Sequence, residues 1–369
     1  MSDDKASASQ QSGLLAGVHV LDLGIWRPVP YATQLLVEMG ADVIKVEPPG
    51  GDPMRVFPDL FAILNAGKRA AAVDLKDSTE RSAVLHLALD ADVVIEGFRP
   101  GVIERLGLGY DAVCAVNPSV VYCSISGYGQ TGPMRTVPGH DLNYQALAGI
   151  VEPRQPGEEP VVGRPPVADL AGGVYAAMAV CAALVRASRT GEGEYIDVAM
   201  TDVLATWTGP LPSLRLDNGD VMRGGAAGYG AFRTADDGWI TLGVLAEQPL
   251  WEALVTTLGL GDLAALTFVE RSAQTAELNA RLSASIATLS RDEAVTLLGG
   301  AGVPVSPVLG QAELADDAHL TARGVVRRTA DKRTVMSHPL IYRRHPTPGA
   351  EDVPSLAGGA AALPQWNSS

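Results

Sequence analysis

From Val18 onward, short apolar runs alternate with segments of helical periodicity. HVLDLG reads as a buried strand. After the proline-rich IWRPVP, the segment YATQLLVEMG places Ala32, Leu35, Leu36 and Met39 on one helical face. Gly40 closes that helix and ADVIKVE is a second strand. The cycle repeats with AAVDL, a helix from Ser78 to Leu89 opened by the Asp77-Ser78 cap signal, and DVVIEG; SVVYCSIS is a further strand. Strand, helix and strand in regular order predict parallel pairing through right-handed crossovers, hence a buried sheet covered by helices. After Pro166, VADLAGGVYAAMAVCAALVRASRTGEG predicts one long helix, apolar nearly all round and therefore central, ending near Gly191, with YIDVAM as the next strand. From Gly224, GGAAGYGAFRTADDGWITLGVL predicts two strands joined by an Asp-Asp-Gly turn, followed by amphipathic helices through Leu298. This second part reads as a smaller α+β domain.

A length of 369 residues fits two domains, and 47% apolar content excludes disorder for most of the chain. Forty-two acidic against 28 basic residues give a net charge of −14. Nucleic acid and acidic membranes, which need a broad basic face, are therefore not the expected partners, and an anionic ligand needs a local basic pocket. Cys114, Cys123 and Cys181 show no redox or metal-ligand spacing, which fits a reduced, cytoplasmic compartment. Residues 1–13 are small and polar and read as a disordered leader. The apolar stretch 174–185 is shorter than the roughly 20 residues of a spanning helix, so no membrane segment is expected.

No G-x-G-x-x-G follows the first strand, and no P-loop, G-x-S-x-G or H-E-x-x-H motif occurs. His140 and Asp141, in PGHDLNY, follow a Gly/Pro-rich loop beyond a strand end, where parallel sheets form ligand crevices. The same histidine fits a plain helix cap. Asp169, in PPVADLAGG, stands where an aspartate N-cap would; it also fits a carboxylate presented to a bulky substrate. Glu247, in VLAEQPLW, reads locally as a helix-dipole partner. Lys45, Lys68, Arg69, Lys76, Arg99 and Arg105 lie near or after strand ends: each is surface charge by default, and together they would suit a phosphorylated ligand. His338 and His345 look structural.

The ordered set LAGVHVLDL, GADVIKVEPPGGDPMR, LNAGKRAAAVDLK, ADVVIEGFRPGVIERLGLGY, NPSVVYCSISGYGQTGP, GHDLNY, PPVADLAGGVYAA and GAFRTADDGWITLG resembles the class III coenzyme A-transferase (CaiB/BaiF) superfamily, which includes the α-methylacyl-CoA racemases. The resemblance implies an α/β fold: a Rossmann-like parallel-sheet large domain built from both chain ends, a smaller α+β domain, and an interlocked homodimer. The implied boundaries are 14–205 for the first part of the large CoA-binding domain, 206–223 for a linker, 224–325 for the small domain and 326–369 for a return segment.

Within the superfamily, GHDLNY is more similar to the racemase branch. That reading makes the protein an α-methylacyl-CoA racemase, with His140 and Asp169 as a two-base pair acting through an enolate, Asp141 orienting the imidazole and Glu247 close by. The alternative is CoA transfer between carboxylic acids through a thioester on Asp169. A third reading is a CoA-binding protein without either activity. The residues implied to meet CoA or substrate are Lys45, Arg55, Lys68, Val73, Asp74, Leu75, Lys76, Gly97, Phe98, Arg99, Arg105, Gly139, Asn143 and Tyr144. Pro48 replaces an arginine usual in the superfamily, with Arg55 or Lys45 as substitutes. Trp26 and Arg27 are expected at the far end of the substrate, where Arg27 would suit a carboxylated acyl chain. No metal and no cofactor beyond the CoA moiety of the substrate are expected.

Overall fold

The computed structural model describes residues 13–151, 157–209, 226–328, 334–345, 347 and 352–367. The leader expected at 1–13, Gly13 apart, and residues 210–223 of the expected linker lie outside the described residues. The chain forms two compact units, Met1–Gly209 with Ala322–Ser369, and Pro210–Thr321.

The first unit carries a seven-stranded sheet in the order β12-β3-β2-β1-β4-β5-β6. Its strands are β1 (His19–Leu23), β2 (Asp42–Glu47), β3 (Arg69–Ala72), β4 (Val93–Glu96), β5 (Val121–Ser126), β6 (Glu194–Ala199) and β12 (Ala357–Gly358), while β10 (Val326–Arg328) and β11 (Thr334–Met336) form a separate antiparallel pair. All pairings within the seven-stranded sheet are parallel, and β12 returns from the C-terminal part of the chain to pair with β3. Alternation along the strands sends side chains to opposite faces. Val20, Val43, Val93 and Val121 join a core with α1 (Pro28–Glu38), whereas Leu21, Ile44, Val94 and Tyr122 face a core completed by α3 (Ser78–Leu89). In chain order α2 (Pro58–Asn65) comes between these helices. The first core is completed by α7 (Val167–Thr190) and α8 (Met200–Thr208), the second by α4 (Val102–Arg105) and α5 (Tyr110–Cys114). The short α6 (Asp141–Leu147) precedes α7. With both faces covered, the sheet is doubly wound, as the alternation of runs predicts.

Local chemistry moves several boundaries. Helix α1 starts at Pro28, three residues before the segment predicted from Tyr31, because prolines are tolerated in a first turn whose N–H groups have no helical acceptor. Strand β3 ends at Ala72, so Val73, Asp74 and Leu75 lie beyond the strand expected to contain them. Residues 206–208, expected in a linker, complete α8.

Helix α7 runs 24 residues, longer than the apolar stretch read from the sequence, and by length and composition alone could cross a membrane. In this unit it packs on α1, α8, β5 and β6. Gly173 permits the contact with α1, since a Cβ there would lie 2.9 Å from Tyr31 Cδ1 and 3.0 Å from Pro28 O. A helix laid on one face of a sheet is covered on one side only: Val174, Met178 and Val185 are exposed, so α7 is less central than its apolar composition predicts.

In the second unit, β7 (Tyr229–Arg233) and β8 (Trp239–Gly243) form the expected hairpin, with Asp237 at a φ of +60° in its turn, and β9 (Val305–Pro307) pairs antiparallel with β8. Helices Gln248–Thr257, Thr275–Ile286 and Arg291–Gly300 bury Trp251, Leu254, Leu282 and Leu298 against Ile240 and Leu242.

Candidate active site

Because β1 lies between β2 and β4, the strand order reverses at β1 and β4, and the crevice beyond their C-terminal ends is where such sheets bind ligands. Two cavities open there. One, of about 450 Å³, lies beyond the ends of β1 to β4 and is lined by Pro48, Val73, Asp74, Leu75 and Lys76. The other, of about 600 Å³, lies beyond β1, β4 and β5 and is lined by Trp26, Arg99, His140, Asn143, Tyr144 and Asp169. Gly97 and Phe98, just past β4, border both. His140 and Asp169, 29 residues apart in the sequence, thus share one cavity, which Gly139 also lines.

His140 is the N-cap of α6, and its N–H donates to Asn143 Oδ1 at 3.0 Å. The Tyr144 hydroxyl donates to Gly139 O at 2.5 Å, and its ring packs so tightly on Gly127 that a Cβ there would lie 2.3 Å from Tyr144 Cε1. Burial, with Tyr128 and Asp169 nearby, pushes the Tyr144 phenol up to about 12.

Asp169 is not the N-cap of α7; Pro166 is, and Asp169 sits in the first turn. The helix dipole favours its ionised form there, yet burial outweighs that. Desolvation first, then the charge of Asp141, pushes Asp169 from 3.8 up to about 7, with Arg27 opposing. Asp141 does not orient the imidazole as expected. Its Oδ1 accepts the N–H groups of Ala168 (2.8 Å) and Asp169 (3.1 Å), and its Oδ2 accepts from Gln145 Nε2 (2.5 Å). The carboxylate therefore satisfies unpaired donors at the start of α7.

Several residues expected to meet CoA are engaged elsewhere. Lys68 is buried, and its Nζ shares its three N–H donors among Asp22 Oδ2 (3.0 Å), Pro30 O (2.9 Å), Thr33 Oγ1 (2.7 Å) and Asn65 Oδ1 (2.9 Å). Lys45 is buried beside Asp52, 3.0 Å away, and donates to Gly24 O at 2.6 Å. Arg55, expected as a substitute for the arginine missing at Pro48, grips both oxygens of Glu47 at 2.7 Å and reaches Pro354 O. Arg105 is exposed and lines neither cavity. Glu247 belongs to the second unit, where it is the N-cap of Gln248–Thr257 and accepts the Leu245 N–H at 3.1 Å.

Arg135 lines the Asp169 cavity, and no motif in the sequence singles it out. Its one signal is to be a cation in the Gly/Pro-rich loop before GHDLNY. Buried Glu96, at the end of β4, is a second residue that the sequence leaves unmarked. Burial pushes it to about 7, and it accepts the Phe98 N–H at 2.7 Å, fixing the segment that borders both cavities.

The sequence pattern of the CoA-transferase family III matches residues 15–359. The chain belongs to that family. It is 33% identical over 346 residues to an acetyl-CoA:oxalate CoA-transferase of Acetobacter aceti, with 87% of each chain covered. It is also 33% identical to a succinyl-CoA:mesaconate CoA-transferase of Haloarcula hispanica, covering 95% of this chain and 94% of that one. The crystal structure of a CaiB/BaiF family protein from Brucella suis matches with a TM-score of 0.84 at 30% identity, covering 96% of this chain and 99% of the other. The two curated relatives are named CoA-transferases, which favours the transferase reading over the racemase expected from GHDLNY.

Proposed function

We propose that the protein moves coenzyme A between carboxylic acids, with Asp169 as the nucleophile. The observation that carries this reading is the Asp169 carboxyl on the wall of a cavity at the strand-order reversal, with a pKa raised to about 7. A carboxylate of that basicity is mostly ionised at pH 8 and a better nucleophile than an ordinary aspartate. Its oxygen attacks the thioester carbonyl, giving a mixed anhydride and releasing CoA thiolate. The thiolate attacks the aspartyl carbonyl, forming an aspartyl-CoA thioester and expelling the donor as a carboxylate. An acceptor carboxylate then attacks that thioester, giving a second anhydride and free thiolate. The thiolate takes the acceptor acyl group and restores Asp169. In this reading the cavity lined by Val73, Asp74, Leu75 and Lys76 takes the nucleotide end of CoA.

The acyl groups are those of short dicarboxylic acids. Asp169 is the one acid among the described residues lining its cavity, while Arg99 and Arg135 line it with no ion-pair partner among the described residues. Arg27 adds a third cation near Asp169. The two relatives are named for oxalate and for succinyl-CoA with mesaconate, which supports the same class. Turnover of branched, uncharged acyl-CoAs alone would count against it.

The test is incubation with succinyl-CoA, trapping by hydroxylamine, and peptide mass spectrometry. A hydroxamate on Asp169, lost together with transfer in Asp169→Ala, is expected. The racemase reading keeps one observation in its favour, the shared cavity of His140 and Asp169. Uptake of α-deuterium from heavy water without an acceptor acid, and without a trapped adduct, would establish it instead. CoA binding with neither activity would leave the non-catalytic reading.

A further inference from the structure

Two residues other than glycine have positive φ among the described residues. Asp237 sits in a hairpin turn, where aspartate tolerates that region. The other is Trp26, at +64°, in the loop between β1 and α1. For a bulky L-residue the left-handed region disfavours folding by roughly tenfold in the equilibrium constant. Glycine would sit there without strain.

The strained residue is clamped. Its N–H donates to Asp52 Oδ1 at 3.2 Å, an oxygen that also accepts the Met54 N–H at 2.9 Å. Asp52 Oδ2 lies 3.0 Å from Lys45 Nζ, close enough for an ion pair though not aligned as a hydrogen bond, and Lys45 donates to Gly24 O at 2.6 Å. Both side chains are fully buried. One ion pair thus grips the backbone on both sides of Ile25. The residue it holds, Trp26, is 42% exposed, belongs to neither sheet-face core, and lines the Asp169 cavity. Strain at a residue that joins neither core and persists at a ligand cavity points to a use at that cavity.

We propose that Trp26 is a specificity residue, a fixed wall that restricts the acyl group to short, unbranched chains, and that Lys45 and Asp52 are the positioning pair that holds it. The proposal rests on the reading that the Asp169 cavity receives the acyl end of an acyl-CoA. It does not require the chemistry to be transfer.

The test uses S-alkyl-CoA thioethers, which cannot react, in a series from ethyl to octyl with an isobutyl member. Binding to wild type, Trp26→Gly and Trp26→Ala is measured by calorimetry. Both variants should bind the octyl and isobutyl compounds at least tenfold more tightly, relative to ethyl, than wild type does. Trp26→Gly should also be about tenfold more stable in its unfolding equilibrium than Trp26→Ala, since only glycine relieves the strain. An unchanged chain-length preference in both variants, or equal stability of the two, overturns the proposal. Wild-type transfer of CoA from succinyl-CoA is assayed in parallel. If transfer fails while the thioether preference shifts, the transferase reading falls and the wall stands. If transfer proceeds while the preference stays put, the wall falls and the transferase reading stands.

Discussion

Asp141→Asn removes one negative charge beside Asp169 and keeps the Oδ1 acceptor used by the Ala168 and Asp169 N–H groups. The pKa of Asp169 is raised from 3.8 to about 7 by burial first and Asp141 second. At about 1.4 kcal/mol per pH unit, that displacement sets a ceiling of about 4 kcal/mol on the cost of ionising Asp169 in the folded protein. A half-buried group facing a cavity retains part of its hydration, so about 1–2 kcal/mol is expected in practice. The sign follows from linkage. A carboxyl whose folded pKa lies above its unfolded one stabilises the fold fully below about 4, and that contribution is lost as pH rises through about 7.

Asp169→Asn should therefore raise stability at pH 8 by about 1–2 kcal/mol and change it little near pH 4, measured by urea unfolding. For catalysis the ionised form is the active one. The kcat/KM for transfer should climb about tenfold per pH unit below 7 and level off above. Asp141→Asn should move that inflection down by about half a unit to one unit. Carbon NMR of the labelled carboxyl gives the same titration without turnover. A wild-type inflection near 4, or one that Asp141→Asn leaves in place, would refute the account of how the site is tuned.

Lys68→Met removes the ion-pair partner of buried Asp22 and leaves it only the charge of Lys45, and should cost about 3 kcal/mol in urea unfolding, while the folded protein keeps its CoA affinity; a selective loss of CoA binding would restore the ligand role. Gly127→Ala places a methyl group inside the Tyr144 ring contact and should cost about 1–3 kcal/mol with a clear drop in transfer rate, read by thermal unfolding and steady-state kinetics. Arg135→Gln should raise KM for glutarate about tenfold, the loss of one charge-assisted contact, with little change in kcat or in KM for butyrate; equal losses for both acids would place Arg135 on CoA instead.

The sheet was legible because a buried parallel sheet imposes a signal of its own, continuous apolar runs such as VYCSIS separated by helical periods. The shared cavity of His140 and Asp169 followed from strand order together with the motif resemblance. What the sequence hid was partnership. Nothing near Asp141 in the chain announces that it binds the N-terminus of a helix beginning at Val167, and nothing near Lys68 announces Asp22, 46 residues away. Periodicity reports which face of an element is buried; it does not report which charges meet inside.

Those hidden pairs explain how an acidic chain can present cations to an anionic ligand. Lys45, Arg55 and Lys68 are expected at the ligand from the motif resemblance, yet each is committed to an acid of its own: Asp52, Glu47 and Asp22. These pairs clamp the loop after β1 and the segment after β2, the backbone from which both cavities are shaped. Lys76 at one cavity and Arg99 and Arg135 at the other carry no such partner among the described residues. In the proposed transfer, on a chain of net charge −14, these uncommitted cations, with Arg27 near Asp169, are what would draw a phosphate or a carboxylate into that crevice, and the paired cations around it keep the crevice in shape.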